Sequence, residues 1–333
     1  MNFFEILSEI EKVDPEVYGR LDSRRAIFKN MAGLGQKLSA AALPLAVGAI
    51  FNKAYAQTNA GLAATDVLNF ALKLEYLESY FYNQRPTALF NTNNANALAL
   101  ITTDESNHVK FLRTTIAALG GTPIADPTPA AFDYTAKGKF PTWLTDQNVY
   151  LALAQSFEDT GVRAYKGAAP LTAIMANKTV LTAALNIHSV EARHASQLRA
   201  MRRALATAGT PAPSQGIPVA PYSMAPKSWI SGIDGGGAAP GKTDAIYAKG
   251  NDTGTATYGA TAALGTAANV TFPAEDNTMQ GGLALSATTI PGAASFPAAV
   301  LPAAFSEAFD EGLDVTSVAK IANMFSVSGT YFG

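Results

Sequence analysis

A lone glutamate followed by Glu-x-x-His occurs twice along this chain: Glu75 then Glu105-x-x-His108, and Glu158 then Glu191-x-x-His194. The chain has only 3 histidines, and two of them fall in these motifs. On a helix, residues i and i+3 sit one turn apart on nearly one face, so each Glu-x-x-His pair reaches a single point. The neighbours tell which way that face looks. Leu98, Ile101, Val109 and Leu112 surround Glu105, and Ala184, Ile187, Ala195 and Leu198 surround Glu191, so both carboxylates point inward. Four ionised carboxylates in an apolar interior lose hydration and repel one another. Two divalent cations remove that conflict: four negative charges meet four positive ones, and neutral imidazoles complete the shells. Four carboxylates and two imidazoles on four helices are the ligand set of a dinuclear metal site at the centre of a helix bundle. The expected ligands are Glu75, Glu105, His108, Glu158, Glu191 and His194.

The first glutamate has a rival, because Glu75 and Glu78 are themselves an i,i+3 pair. The internal repeat favours Glu75. Tyr82 stands seven residues after Glu75, and Tyr165 seven after Glu158, on nearly the same helix face. Glu78 is kept as the alternative ligand or a supporting group. Tyr82 and Tyr165 are placed to hydrogen-bond ligating carboxylates from outside the metal shell, or equally to serve as amphipathic core residues. His188, one turn before Glu191, is a candidate for the same outer role or for ligation, though such a residue is more often simply a hydrogen-bonded histidine.

Four helices must present these groups. Residues 64–84 show helical periodicity through Val67, Leu68, Ala71, Leu72, Leu74 and Leu77, and Arg85-Pro86 closes the run. A second helix is expected from about Asn94 to Leu119, ended by Gly120-Gly121. A long connection rich in proline follows, and a third helix from Thr145, read as its N-cap, to Lys166. The fourth spans about Lys178 to Ala208, with Arg199, Arg202 and Arg203 near its C-terminal end, where cations suit the helix dipole. Short, long, then fairly short connections describe two antiparallel helix pairs joined by one crossover, an all-α four-helix bundle over residues 58–208.

Beyond residue 209 the composition turns to Gly, Pro, Ala and Thr, an irregular extension over 209–333. Lys227–Ile233 and Asn269–Phe272 are its candidate strands, and Asp314 is placed to cap a short terminal helix from Val315 to Phe325. This tail either wraps the bundle or forms an interface. Gly236-Gly237-Ala238-Ala239-Pro240-Gly241-Lys242-Thr243 fits the phosphate-loop pattern, but no strand and helix frame it. It is read as a chance match in a glycine-rich loop, and no nucleotide is expected.

Composition narrows the chemistry. The 333 residues are 48% hydrophobic, enough for a sizeable core, and a net charge of −2 gives no sign of nucleic-acid binding. With no cysteine, thiol nucleophiles, disulfides, iron–sulfur clusters and Cys-held zinc are all excluded. Oxygen and imidazole donors suit two iron ions, or manganese in their place.

Residues 1–57 read as an export signal. Ser23-Arg24-Arg25-Ala26-Ile27-Phe28-Lys29 resembles the twin-arginine consensus, and an apolar stretch from Leu38 to Phe51 follows. That stretch falls short of the about 20 residues a membrane anchor needs. Ala54-Tyr55-Ala56 is a small-x-small cleavage site before Gln57. The expected location is the periplasm or the cell surface, with no stable membrane anchor once the signal is removed.

The segment Val67-Leu68-Asn69-Phe70-Ala71-Leu72-Lys73-Leu74-Glu75-Tyr76-Leu77-Glu78 resembles the ferritin-like domain family that includes exported bacterial proteins and plant desiccation-related proteins. So do Asp104-Glu105-Ser106-Asn107-His108 and Ser189-Val190-Glu191-Ala192-Arg193-His194, and more weakly Ala308-Phe309-Asp310-Glu311-Gly312-Leu313. The resemblance implies a ferritin-like bundle with a carboxylate-bridged di-iron site, while leaving the reaction open. The expectation is an exported protein that oxidises Fe(II) or reduces oxygen or peroxide. A non-enzymatic surface or stress-protective protein, self-associating through its helices or its extension, is the competing reading.

Overall fold

The computed structural model describes residues 63–207, 229–230, 243–250, 257–258, 262–263, 272–280, 282–286, 288–290, 293, 298 and 301–333. The export segment at residues 1–57 and most of the phosphate-loop-like run, Gly236 to Lys242, lie outside them. Of the two candidate strands, only Trp229, Ile230 and Phe272 are described, and none of these is in a strand.

Helix α1 (Ala64–Asn83) leads through a short turn to α2 (Thr92–Ala118). A long crossover follows, then α3 (Gln147–Ala168), a one-turn α4 (Thr172–Met175) and α5 (Lys178–Thr207). Two antiparallel two-residue ladders, β1 (Thr257–Tyr258) with β2 (Ala262–Ala263) and β3 (Met279–Gln280) with β4 (Leu283–Ala284), are the only paired strands among the described residues. Helices α6 (Leu301–Ser306) and α7 (Val315–Asn323) complete the order. The core is all-α, with α1 packed on α2 and α3 on α5, and the region after α5 is largely irregular. Among the described residues, no helix is long and apolar enough to cross a membrane.

Local chemistry accounts for the helix ends. Asn91 caps α2, its side chain accepting from the Asn94 amide at 2.9 Å, so the helix begins two residues before the periodicity suggests. Gly120, at φ +79°, ends the same helix with bonds from the Gly120 amide to Ala117 and from the Gly121 amide to Ile116. The cap of α3 differs from expectation. Asp146 accepts from the amides of Asn148 and Val149, whereas the Thr145 hydroxyl turns back to the carbonyl of Thr142. A carboxylate accepts two amide bonds at once and carries the charge that a helix N-terminus favours. Asp314 caps α7 as its position suggests, accepting from Ser317 at 3.0 Å.

The described residues fall into two compact units. In the smaller, between 276 and 309, Ile290, Ala293, Leu301 and Phe305 form their own apolar cluster. The larger joins the four long helices to residues 310–333, whose α7 puts Val315, Val318, Ile321 and Ala322 into the same core as Leu72, Phe81, Leu98 and Leu198. Of the two alternatives for the end of the chain, residues 310–333 wrap the bundle. The crossover is also pinned: Tyr134 donates to the Leu77 carbonyl at 2.7 Å, and the Asp133 amide bonds Phe325 at 2.8 Å.

Arg163 of α3 organises this wrapping. Its fully buried guanidinium donates to the carbonyls of Ile246, Ala248, Pro273, Glu311 and Gly312, and pairs with Glu275 at 2.9 Å. One side chain thereby satisfies the backbone of three returning segments. Beside it the tail touches the helix itself, since a Cβ on Gly167 would lie 2.0 Å from the Leu313 carbonyl oxygen. Burial pushes the Glu275 carboxyl up to about 8, against the pull of the arginine. Arg163→Ala is expected to cost about 3–5 kcal/mol, the range for breaking a buried charge pair. Urea unfolding of the two proteins measures it, and a loss below 1 kcal/mol would contradict this role.

Candidate metal centre

The six sequence-derived residues converge. Glu75 comes from α1, Glu105 and His108 from α2, Glu158 from α3, and Glu191 and His194 from α5. All four carboxylates are 0% exposed. Their donor atoms form two groups, each within 4.8 Å: Glu75, Glu105, His108 and Glu191, and Glu105, Glu158, Glu191 and His194. Glu105 and Glu191 belong to both. The Glu-x-x-His carboxylates therefore lie between the two groups, while Glu75 and Glu158 stand at opposite ends.

The imidazoles face inward through Nδ1. That of His108 lies 3.3 Å from Glu75 and from Glu105 and 3.4 Å from Glu191. That of His194 lies 3.0 Å from Glu105 and 3.1 Å from Glu158. The two end carboxylates are held by a reciprocal exchange between helices: Tyr82 of α1 donates to Glu158 of α3, and Tyr165 of α3 donates to Glu75 of α1. Each tyrosine occupies one carboxylate oxygen and leaves the other facing an imidazole.

Several inward oxygens lack a well-formed hydrogen bond: Glu75 Oε2, Glu105 Oε1 and both oxygens of Glu191. Glu105 Oε1 has an imidazole nitrogen at 3.0 Å, close enough for ion pairing but poorly directed. Buried carboxylate oxygens are normally satisfied. Four such oxygens around two nitrogen donors fit metal coordination by their chemistry.

Without metal, protons carry the compensation. Burial opposes charge on the imidazoles, yet Glu158 and Glu105 hold His194 protonated up to about 12, and Glu75, Glu105 and Glu191 raise His108 well above its ordinary value. Burial lifts Glu75 to about 7, and burial with neighbouring carboxylates lifts Glu191 well above the carboxylate range. Burial would raise Glu105 too, but the adjacent His108 and His194 imidazoles bring it down to about 2.

Two other candidates stand apart. Glu78 is buried but belongs to neither group, and lines a small cavity with Ser156, Thr160 and Gly161. His188 donates through Nδ1 to the Val162 carbonyl at 2.9 Å and joins neither group.

Two contributors escaped the sequence reading. Asp104 accepts from His194 Nε2 at 3.1 Å across the bundle, fixing that ring so that Nδ1 faces the carboxylates. Its only signal was adjacency to Glu105, and the repeat hides it, because Val190 holds the matching place before Glu191. Gly161 was the other. A Cβ there would lie 3.2 Å from Glu191 Oε2, so any side chain at this point of α3 would press on that carboxylate. A glycine inside an otherwise regular helix was the available clue.

Residues 63–204 match the ferritin-like domain family. They are a ferritin-like domain. A comparison with curated proteins gives no match. The buried Glu/His cluster of the ferritin-like domain is compatible with a metal site.

The raised imidazole values set the sign of a pH effect. A metal needs the nitrogen lone pair, so binding must expel the protons that His108 and His194 hold at neutral pH. Metal affinity of the ferritin-like domain is expected to rise with pH between about 6 and 8 with net proton release. Titration calorimetry in buffers of different ionisation enthalpy measures the protons, and uptake instead of release would refute it. Asp104→Ala is expected to weaken binding by about tenfold, the low end for an outer partner, because Asp104 is half exposed. Competition with a chromogenic chelator reads the change.

Proposed function

We propose that this protein is an exported dinuclear-metal oxidoreductase. The observation that carries the reading is the pair of buried donor groups sharing Glu105 and Glu191, with inward carboxylate oxygens that lack hydrogen bonds. Glu75 and His108 would hold one ion and Glu158 and His194 the other, with Glu105 and Glu191 common to both. Two iron ions suit this donor set, and manganese is the alternative. Such a pair supplies one- and two-electron chemistry toward oxygen or peroxide. Fe(II) oxidation or peroxide reduction would follow from it.

The protein's own groups do the positioning. Tyr82 and Tyr165 fix the end carboxylates and restrict them to one free oxygen each. Asp104 orients His194. Leu98, Ile101, Leu112 and Leu198, on the same helices as Glu105 and Glu191, are fully or nearly buried, and an apolar interior strengthens charge interactions within it. Export is proposed from Arg24-Arg25 and the Ala54-Tyr55-Ala56 site, with the protein acting in the periplasm or at the cell surface.

Metal analysis of protein from its native compartment tests the reading, with a Glu105→Ala/Glu191→Ala variant alongside. The expected result is about two iron or manganese ions per chain, lost in the variant, with oxygen or peroxide consumed only by the loaded protein. Bound metal with no turnover, whose removal unfolds the protein, would favour a structural metal. Folded protein without metal would overturn the proposal.

A further inference from the structure

One side of the bundle carries a run of aromatic rings that leads away from the metal ligands. They begin at Tyr82, whose hydroxyl donates to Glu158. The Tyr82 ring lies 5.3 Å from Phe81, and Phe81 lies 5.6 Å from Trp143. Trp143 lies 5.0 Å from Tyr134, which lies 6.2 Å from Phe132. Phe132 lies 6.1 Å from Tyr80, a partly exposed residue whose hydroxyl donates to the exposed carboxylate of Asp126. The run thus starts on an end carboxylate of the metal centre and finishes at the surface, with every centroid step at 6.2 Å or less.

We propose that this run conducts single oxidising equivalents from the metal centre to Tyr80, where a one-electron donor in solution is oxidised. The inference rests on the oxidoreductase reading above. Electron transfer falls off exponentially with the gap between redox groups, but less steeply through packed rings than across empty space, so the intervening rings couple stations that do not touch. Phenylalanine is too hard to oxidise and serves as a bridge, as does Tyr134, whose hydroxyl faces only the Leu77 carbonyl. The stations are Tyr82, Trp143 and Tyr80.

The protons balance at each station. Tyr82 gives an electron to the centre and its phenolic proton to Glu158, the acceptor it already bonds. Trp143 then returns an electron to Tyr82, which takes its proton back, and the indole keeps its N–H as a cation radical. Tyr80 reduces Trp143, passing its own proton to Asp126. A donor of the enediol or phenol class supplies Tyr80 with one electron and one proton, and Asp126 releases the proton it received. Two such cycles deliver the two electrons that convert one peroxide, with two protons, into two waters.

The test uses full-length metal-loaded protein, mixed with hydrogen peroxide and freeze-quenched for electron paramagnetic resonance, with ascorbate as the donor probe. The expected result is an aromatic radical whose spectrum narrows with ring-deuterated tyrosine and which ascorbate removes. Tyr80→Phe preserves the ring packing and should cut ascorbate oxidation by about tenfold or more, with the radical moving to deuterium-sensitive tryptophan. Trp143→Phe, checked by its melting curve, should confine the radical to Tyr82. Peroxide consumption without an aromatic radical, or a radical unchanged in Tyr80→Phe, would overturn the relay and leave the oxidoreductase reading intact. No bound metal or no peroxide consumption in the wild type would overturn both.

Discussion

Four carboxylates packed where water cannot reach them are the constraint around which this bundle is organised. Bringing Glu75, Glu105, Glu158 and Glu191 together costs desolvation and repulsion at once, and no purely apolar core would tolerate it. The helices answer with partners at every side: two imidazoles inside, two tyrosine hydroxyls at the ends, an aspartate behind one imidazole. Protons fill the remaining deficit when no cation does. The same arrangement that makes the uncompensated carboxylates expensive is what would favour a cation among them. A fold optimised for stability alone would replace these groups with leucines.

Much of that centre could be read in the one-dimensional chain because helices convert spacing into geometry. Glu-x-x-His needs only the helical period to place both groups on one face, and the repeat favours Glu75 over Glu78 through Tyr82 and Tyr165. The structure sets Glu75 in a donor group and leaves Glu78 out. What the chain hid are relations across helices. Asp104 reaches His194 from another helix, and Gly161 matters only because Glu191 lies opposite. The internal repeat was itself misleading there, since it is approximate where the outer groups are concerned. Cap identity failed for a similar reason: Thr145 and Asp146 are both good N-caps, and which one wins depends on where the crossover delivers the chain.

The irregular region resisted reading for a different cause. Periodicity reports elements that bury one face, and residues 243–250 and 272–275 meet the bundle through isolated side chains such as Tyr247 and through backbone carbonyls. Carbonyls carry no sequence signature. Their common partner, Arg163, sits among buried α3 residues as an unremarked arginine, with Arg199 and Asp159 joined in a second buried pair nearby. Buried guanidinium groups suit this work because one planar fork presents five donors at fixed angles. The bundle is therefore zipped from outside by hydrogen bonding as much as from inside by apolar contact.

That zipping bears on how the chain is made. Helix α7 comes far along the chain from α1, yet Val315, Val318 and Ile321 fill the core that α1 begins. During synthesis the first four long helices emerge well before the segment that closes over them. Until α7 leaves the ribosome, an apolar flank of the bundle stays uncovered and open to chaperones or to premature association. A premature stop codon just before α7 would then be as harmful as one in the middle of the bundle.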